Sequence, residues 1–301
     1  MENNYNCAIK FRCYITFLFL LLFCHVSFAH PFLWRVSGEH EFYLFGTIHL
    51  PDPSVTILPK EIDDALADSD VFYSELDLSE ENTMLVRQSM WLPDKKNLYD
   101  FLPKDLEEQV NQYLVSINPE LNLEFFAKQK IWVLAITLTV LEQQLKYPNH
   151  PPLDTVLYNR AVALGLDTGG LETVDEQLEV FTTLTTDQQL IFLRDTVEFM
   201  QSTLDDETSF IEQSLNNYLK GDLDSLMSNL MPYMKDNEFY EQLLYRLIDN
   251  RNLNITNKML ELLKLNPEKR YFFAVGAGHF WGENSIHSIL KERGYTIQTI
   301  E

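Results

Sequence analysis

The apolar residues of this chain form short continuous runs separated by longer periodic stretches. Four short runs of strand formers bounded by turn residues predict β-strands: "EFYLFGTI" at 41–48, "DVFYSELDL" at 70–78, "GLDTGGLE" at 165–172 and "RYFFAVGA" at 270–277. Near-continuous apolar strands are typical of parallel sheets that are covered on both faces. The pattern therefore favours strands that lie inside the protein.

Between these strands, apolar residues recur at helical spacing. The stretches 121–145 and 186–204 are clear examples. Strands that alternate with helices predict an α/β fold with a mainly parallel sheet. The segment from about 174 to 265 is almost wholly helical in pattern, and we expect it to form a large helical insertion or lobe over the sheet.

The first 29 residues have the pattern of a signal peptide. Lys10 and Arg12 precede the apolar run 14–23, and a small-x-small pattern ends at Ala29. We therefore expect cleavage after Ala29 and export to the periplasm or the exterior. An uncleaved N-terminal anchor is the alternative.

Residues 30–301 are predicted to form one domain. The strongest break in pattern is "YPNHPPLD" at 147–154, whose three prolines cannot continue a helix. We interpret it as a turn between helices of the same domain. After the leader, no stretch approaches the roughly 18 uninterrupted apolar residues of a membrane span, so no stable span is expected once the leader is cleaved.

Charge and cysteine content exclude several classes of function. The chain has 45 acidic against 23 basic residues and a net charge of −22, which repels nucleic acid and anionic lipid. Its three cysteines, Cys7, Cys13 and Cys24, all lie in the predicted leader. The exported part therefore has no disulfide, thiolate metal site or cysteine nucleophile. The pattern does not indicate an oligomeric state.

The candidate functional residues lie where the predicted strands end. His49, Glu75, Glu172 and His279 stand at or just after the ends of the four strands. In parallel α/β sheets, ligands bind beyond the carboxyl ends of the strands, so these side chains are expected to converge at one edge.

Both histidines follow a glycine in the pattern Gly-x-x-His. Gly46 and Gly276 permit a tight turn or a close backbone approach that a side chain would block. Imidazole with carboxylate suits Zn²⁺, Mn²⁺, Co²⁺ or Fe²⁺, and such a cation makes water a nucleophile near neutral pH.

Simpler roles for these residues remain open. A single histidine after a strand is commonly a hydrogen-bonded turn residue, and a single glutamate is commonly a helix N-terminal carboxylate. The occurrence of the same glycine–histidine element at both ends of the chain favours a shared site. His40 and His150 lack this setting and are interpreted as loop residues, and His287 as a residue of a helix after Gly282.

Several segments resemble, in chain order, those of the TraB/GumN family. They are "FLWRVSGEHEFYLFGTIHLP", "VFYSELDLS", "LDTVLYNRA", "GGLETVDEQ", "RNLNITNKM" and "YFFAVGAGHFWGENSIHSILKERGYTI". The resemblance covers about residues 32–300. The sequences of these segments are most similar to those of the TIKI branch, which comprises secreted or membrane-tethered metalloproteases that trim the N-terminus of Wnt proteins.

The resemblance implies a fold like that of the erythromycin esterase and ChaN proteins, and a divalent metal, with manganese or cobalt supporting peptidase activity. The family's Gly-x-x-His histidines correspond to His49 and His279, and its acidic positions to Glu75 and Glu172. Arg251 and Asn252 match the family's Arg-Asn pair, which implies substrate binding. By its chemistry Arg251 could hold a substrate carboxylate or polarise a carbonyl; an ion pair on a helix is the simpler alternative.

These observations lead to the hypothesis of an exported, metal-dependent peptidase that acts on a peptide or protein substrate, with N-terminal trimming as one form of the reaction. His49, His279 and Glu75 are expected to bind the metal, with Glu172 as general base or second ligand. The alternative is a non-catalytic protein that sequesters a peptide or pheromone. A hydrolase of ester or sugar-linked substrates is a third hypothesis for the same site.

Overall fold

The computed structural model describes residues 32–204, 206, 208–230 and 237–300. The predicted signal peptide at 1–29 lies outside the described residues. Among the helices that are described, none is both long and apolar enough to cross a membrane.

The described residues contain a mixed sheet with the strand order β4-β3-β5-β2-β1-β6. Strands β4, β3, β5 and β2 run parallel, whereas β1 and β6 pair antiparallel at one side of the sheet. The strands are β1 (Leu33–Ser37), β2 (Glu41–Thr47), β3 (Val71–Leu76), β4 (Asp167–Glu172), β5 (Tyr271–Gly276) and β6 (Thr296–Thr299).

The four predicted strands are confirmed as β2, β3, β4 and β5, and the α/β class is confirmed with them. The prediction of a mainly parallel sheet is confirmed in part: within the described sheet three strand pairings are parallel, and β1 adds two antiparallel ones. A turn of three residues, 38–40, joins β1 to β2, and such a short connection allows only antiparallel pairing. The likeness to the erythromycin esterase and ChaN folds stays a prediction.

Helices cover the sheet and fill most of the rest of the chain. They are α1 (Pro53–Thr56), α2 (Lys60–Ala67), α3 (Glu80–Met90), α4 (Lys104–Ile117), α5 (Ile131–Lys146), α6 (Leu153–Leu164), α7 (Val174–Thr182), α8 (Thr186–Ser202), α9 (Phe210–Leu219), α10 (Leu223–Leu230), α11 (Glu238–Leu244), α12 (Asn250–Leu265) and α13 (Ile286–Glu292).

Two groups of buried side chains form the core. The first surrounds the sheet and includes the fully buried rings of Phe42, Phe72, Phe272 and Phe273. The second lies between helices α4, α5, α8 and α11. The predicted helical lobe therefore exists, but it begins earlier in the chain than about residue 174, because α5 packs along α8.

The helix α13 carries His287 in an apolar setting. Its ring packs edge-on against Trp34, with centroids 4.4 Å apart, and against Phe280 at 4.8 Å. Its buried Nε2 atom has no hydrogen-bond partner. Burial lowers the pKa of His287 to about 4, so the ring is neutral in the folded protein at pH 7.

We predict that His287 makes folding sensitive to mild acid. An unfolded histidine has a pKa of about 6.5, so the unfolded chain binds the extra proton as the pH falls from about 6.5 towards 4, and stability is lost over that window. His287→Phe should keep the ring packing and remove about 2 kcal/mol of the loss between pH 7.5 and pH 5. Denaturant unfolding at both pH values measures it. Equal losses for the variant and the wild type would contradict the prediction.

Candidate active site

Four neighbouring parallel strands end at the same edge of the sheet. Their order is β4, β3, β5 and β2, and the predicted residues Glu172, Glu75, His279 and His49 follow in the same order. The structure therefore brings all four residues to one edge, as a row. Because strands lie about 4.8 Å apart, β4 and β2 at the two ends of this row are separated by about 14 Å.

His279 is buried in the short helical turn Ala277–Phe280 that follows β5. Its Nδ1 atom lies 2.6 Å from the side-chain oxygen of Asn252. An amide oxygen only accepts hydrogen bonds, so Nδ1 donates and Nε2 keeps its lone pair. That Nε2 atom lies 3.8 Å from Oε1 of Glu75. Burial lowers the pKa of His279 to about 4, which keeps the ring neutral at pH 7.

His49 follows β2 and has a different partner. Its Nδ1 atom lies 2.6 Å from Oδ2 of Asp154, and Oδ1 of the same carboxylate accepts a hydrogen bond of 2.8 Å from Thr47. The Asp154 charge raises the pKa of His49 to about 9. The His49 side chain is 63% exposed, so its Nε2 atom is accessible to a ligand from solvent.

Gly276 is the point around which three of these side chains meet. A Cβ atom at this position would lie 3.0 Å from Oε1 of Glu75, 3.7 Å from Cδ2 of His279 and 3.9 Å from Nε2 of His49. The backbone N–H of Gly276 also donates to Oε1 of Glu75 at 2.6 Å. The glycine thus permits the close approach expected from the sequence, and its N–H holds Oε1 of Glu75 in place.

Arg251 bridges the two glutamates of the row. Its Nε and Nη2 atoms bind both oxygens of Glu172 at 2.9 and 2.6 Å, and Nη2 also binds Oε2 of Glu75 at 2.5 Å. A further bond of 3.2 Å runs from Nη1 to the Leu247 carbonyl. Since all three side chains are nearly buried, this is an ion pair of low solvent exposure.

The two carboxylates differ in their ionisation. Burial alone would raise the pKa of Glu75, but interactions with His279 and Arg251 outweigh burial and lower this pKa below its ordinary value. Burial raises the pKa of Glu172, against the opposing effect of Arg251. Glu75 is therefore the more firmly ionised of the pair.

Arg251 and Asn252 stand together at the start of α12. A wide helical turn at Tyr245–Asp249 joins α11 to α12, and such turns are frequent at functional sites. Arg251 reaches the glutamates, whereas Asn252 contacts His279 and donates to the Asn284 carbonyl at 2.9 Å. Asn252 is fully buried in the structure and contacts His279, and its role in substrate binding stays a prediction.

Asp154 is a residue of this site that the sequence pattern does not predict. This residue closes the proline-rich segment that was interpreted as a turn, and it is the second residue of α6. An acidic residue in the first turn of a helix ordinarily interacts with the helix dipole, so its pattern carried no sign of a contact with His49, which lies 105 residues earlier.

The donor chemistry of the row fits a divalent transition metal. Each imidazole has Nδ1 fixed by an acceptor and Nε2 on the other side of the ring, as metal-binding histidines commonly have, and Oε1 of Glu75 lies 3.8 Å from Nε2 of His279. Two imidazoles and one carboxylate are a recurrent ligand set. In the part of the chain that the structure describes, no three such side chains are arranged to hold a metal as they stand, so binding requires the side chains to draw together.

Comparison with known proteins finds relatives over nearly the whole described chain. The profile of the TraB/PrgY/gumN family matches residues 32–299. The chain is 28% identical to Metalloprotease TIKI1 of Xenopus tropicalis and 28% identical to Metalloprotease TIKI1 of Homo sapiens, in each case over 90% of this chain and 62% of the relative. It thus spans about three fifths of the length of these curated relatives.

A bacterial protein matches over most of its own length. The chain is 25% identical to the uncharacterized protein YbaP of Escherichia coli (strain K12), over 85% of this chain and 90% of that protein. No solved structure matches the chain. Since the family profile covers nearly the whole described region, this chain belongs to the TraB/PrgY/gumN family.

Proposed function

We propose that this protein is an exported, divalent-metal-dependent peptidase. The observation that carries the proposal is the meeting of two imidazoles and one carboxylate around Gly276. The similarity to proteins named metalloproteases supports it. The substrate is a peptide or protein, and N-terminal trimming is the form of cleavage that the resemblance favours.

His49, His279 and Glu75 would hold the metal. A divalent cation there, Mn²⁺ or Co²⁺ by resemblance and Zn²⁺ by ligand type, supplies Lewis acidity and a water nucleophile near neutral pH. Charge supports the proposal: with neutral imidazoles, the carboxylates of Glu75, Glu172 and Asp154 outnumber the one guanidinium by two negative charges, which a divalent cation neutralises.

The remaining residues hold these groups in position. Asp154 and Asn252 fix the two rings through Nδ1. Arg251 holds Glu75 and Glu172, and its positive charge would stabilise negative charge that develops on a substrate carbonyl. Glu172 has a raised pKa, a property that suits a proton acceptor in the reaction.

We expect His49→Ala and His279→Ala to lower metal occupancy and abolish cleavage of a peptide library, because each variant removes a donor that the remaining residues do not replace. Metal analysis and mass spectrometry of the products measure this. His40→Ala, in the turn between β1 and β2, is the matched control and should keep both properties. Circular dichroism and thermal melting check the folding of each variant. Full cleavage by His49→Ala in the presence of a strong chelator would overturn the proposal.

Glu172→Gln should separate proton transfer from metal binding. We expect the variant to keep its metal, with affinity weakened at most about tenfold by the lost charge, because Arg251 occupies both oxygens of Glu172. Turnover should fall by about 100-fold or more if Glu172 is the general base. Loss of metal together with turnover would make Glu172 a second ligand instead.

Asp154→Asn should act through His49. The amide keeps the shape of the carboxylate but removes the charge that fixes the imidazole, and changes at such supporting residues typically weaken metal affinity about 10- to 100-fold. Titration of the metal-free protein with Mn²⁺ measures the affinity without any need for turnover. Unchanged affinity would show that Asp154 does not support a ligand.

A further inference from the structure

A groove of about 620 Å³ lies beside the end of β4. One wall is residues 170–173, a second is the α7 side chains Glu176 and Glu179, and a third is the side of α12 that bears Asn254. We call this space the β4 groove. Its size lies within the range of ligand-binding clefts, roughly 300–1,000 Å³.

The strand wall of the groove is the outer edge of β4. Within the described sheet, β4 pairs with β3 on one side and is the outermost strand on the other. A strand with one neighbour leaves the N–H and C=O groups of every second residue unpaired. Gly169 and Gly170 have no side chains to cover this edge, and both are half-buried rather than sealed.

The helix wall offers side-chain amides. Asn250, Asn254 and Asn257 are exposed residues spaced along one side of α12, and all three line the groove. Oδ1 of Asn257 accepts a bond from Arg293. Among the described residues, the side chains of Asn250 and Asn254 have no hydrogen-bond partner. An amide donates and accepts at once, so this wall complements another peptide chain.

The groove leads to the candidate active site. Glu172 and Arg251 line it, and Nη2 of Arg251 lies 2.5 Å from Oε2 of Glu75. A strand added outside β4 lies three strand spacings, about 14 Å, from β5, a distance that about four extended residues span. A chain held beside β4 can therefore present its end to Glu75 and the two histidines.

We propose that the β4 groove binds the substrate main chain as an additional strand along the free edge of β4, with the α12 asparagines supporting its opposite side. This inference rests on the peptide substrate proposed above. Strand addition obtains affinity from main-chain hydrogen bonds. The groove carries both acidic and basic side chains, Glu179 and Glu261 with Arg246 and Lys258, so binding is tolerant of substrate sequence.

The test uses a single introduced thiol. Cys7, Cys13 and Cys24 are replaced by serine, and Asn254→Cys places the one remaining thiol in the groove. Lys264→Cys is the matched control, because Lys264 is exposed on the same helix and does not line the groove. Labelling by a maleimide is followed in the presence of a random-sequence octapeptide library. A chelator is added so that the protein does not cleave the peptides. Circular dichroism checks that both variants fold.

We expect the library to slow labelling of Asn254→Cys by a factor of 1 + [peptide]/Kd, or about tenfold at nine times Kd. Labelling of Lys264→Cys should not change. A library methylated at every second peptide nitrogen should not protect, because it lacks the donors and the space that strand pairing needs.

The outcomes separate this inference from the peptidase proposal. If the library does not slow labelling of Asn254→Cys but the protein cleaves the library with Mn²⁺, the proposal of substrate binding in the β4 groove is wrong and the peptidase proposal is not affected. Equal protection by the methylated library would overturn strand addition. Protection in a protein that cleaves nothing with any metal would support the groove and overturn the peptidase.

Discussion

The contact between Arg251 and the carboxylates of Glu75 and Glu172 is the interaction on which the rest of the site depends. The two glutamates come from adjacent strand ends, and both are nearly buried. Without a cation between them, two such charges repel each other and lose hydration. Removing one partner from a buried ion pair typically costs about 3–5 kcal/mol. The bridge therefore fixes the end of β3, the end of β4 and the start of α12 together, and it leaves only Oε1 of Glu75 for another ligand.

The two histidines have equivalent sequence patterns but different surroundings. Asn252 holds a buried, neutral His279, whereas Asp154 holds an exposed His49 whose pKa is raised. A carboxylate partner makes an imidazole a stronger electron donor than an amide partner does. Nε2 of His279 therefore keeps its lone pair at neutral pH. Nε2 of His49 must release a proton before it can bind a cation. This asymmetry places the accessible side of the site at His49.

Much of the fold and of the row could be predicted because the sequence patterns that indicate them are local. Continuous apolar strands fixed the parallel core, and Gly46 and Gly276 marked the turns that bring the histidines to the edge. Asp154, in contrast, contacts His49 across 105 residues, and nothing near it in the chain indicates that partner. The antiparallel strand β6 is short, and only Ile297 among its residues is half-buried. The contact of Asp154 with His49 and the pairing of β6 with β1 both join residues that are far apart in the chain, so a local pattern does not determine them.

The order of the strands also limits what Glu172 can do. Glu172 ends β4, two strands from β5 and three from β2, so it stands about 10 to 14 Å along the edge from the strand ends that precede the histidines. Ligand atoms of one metal lie within roughly 3 to 4 Å of one another, and Arg251 already binds both Glu172 oxygens. Its position next to the β4 groove instead places it where a substrate chain would pass from the sheet edge to Glu75. In the proposed reaction, a carboxylate there, with its pKa raised by burial, would meet the substrate before the proposed metal ligands do.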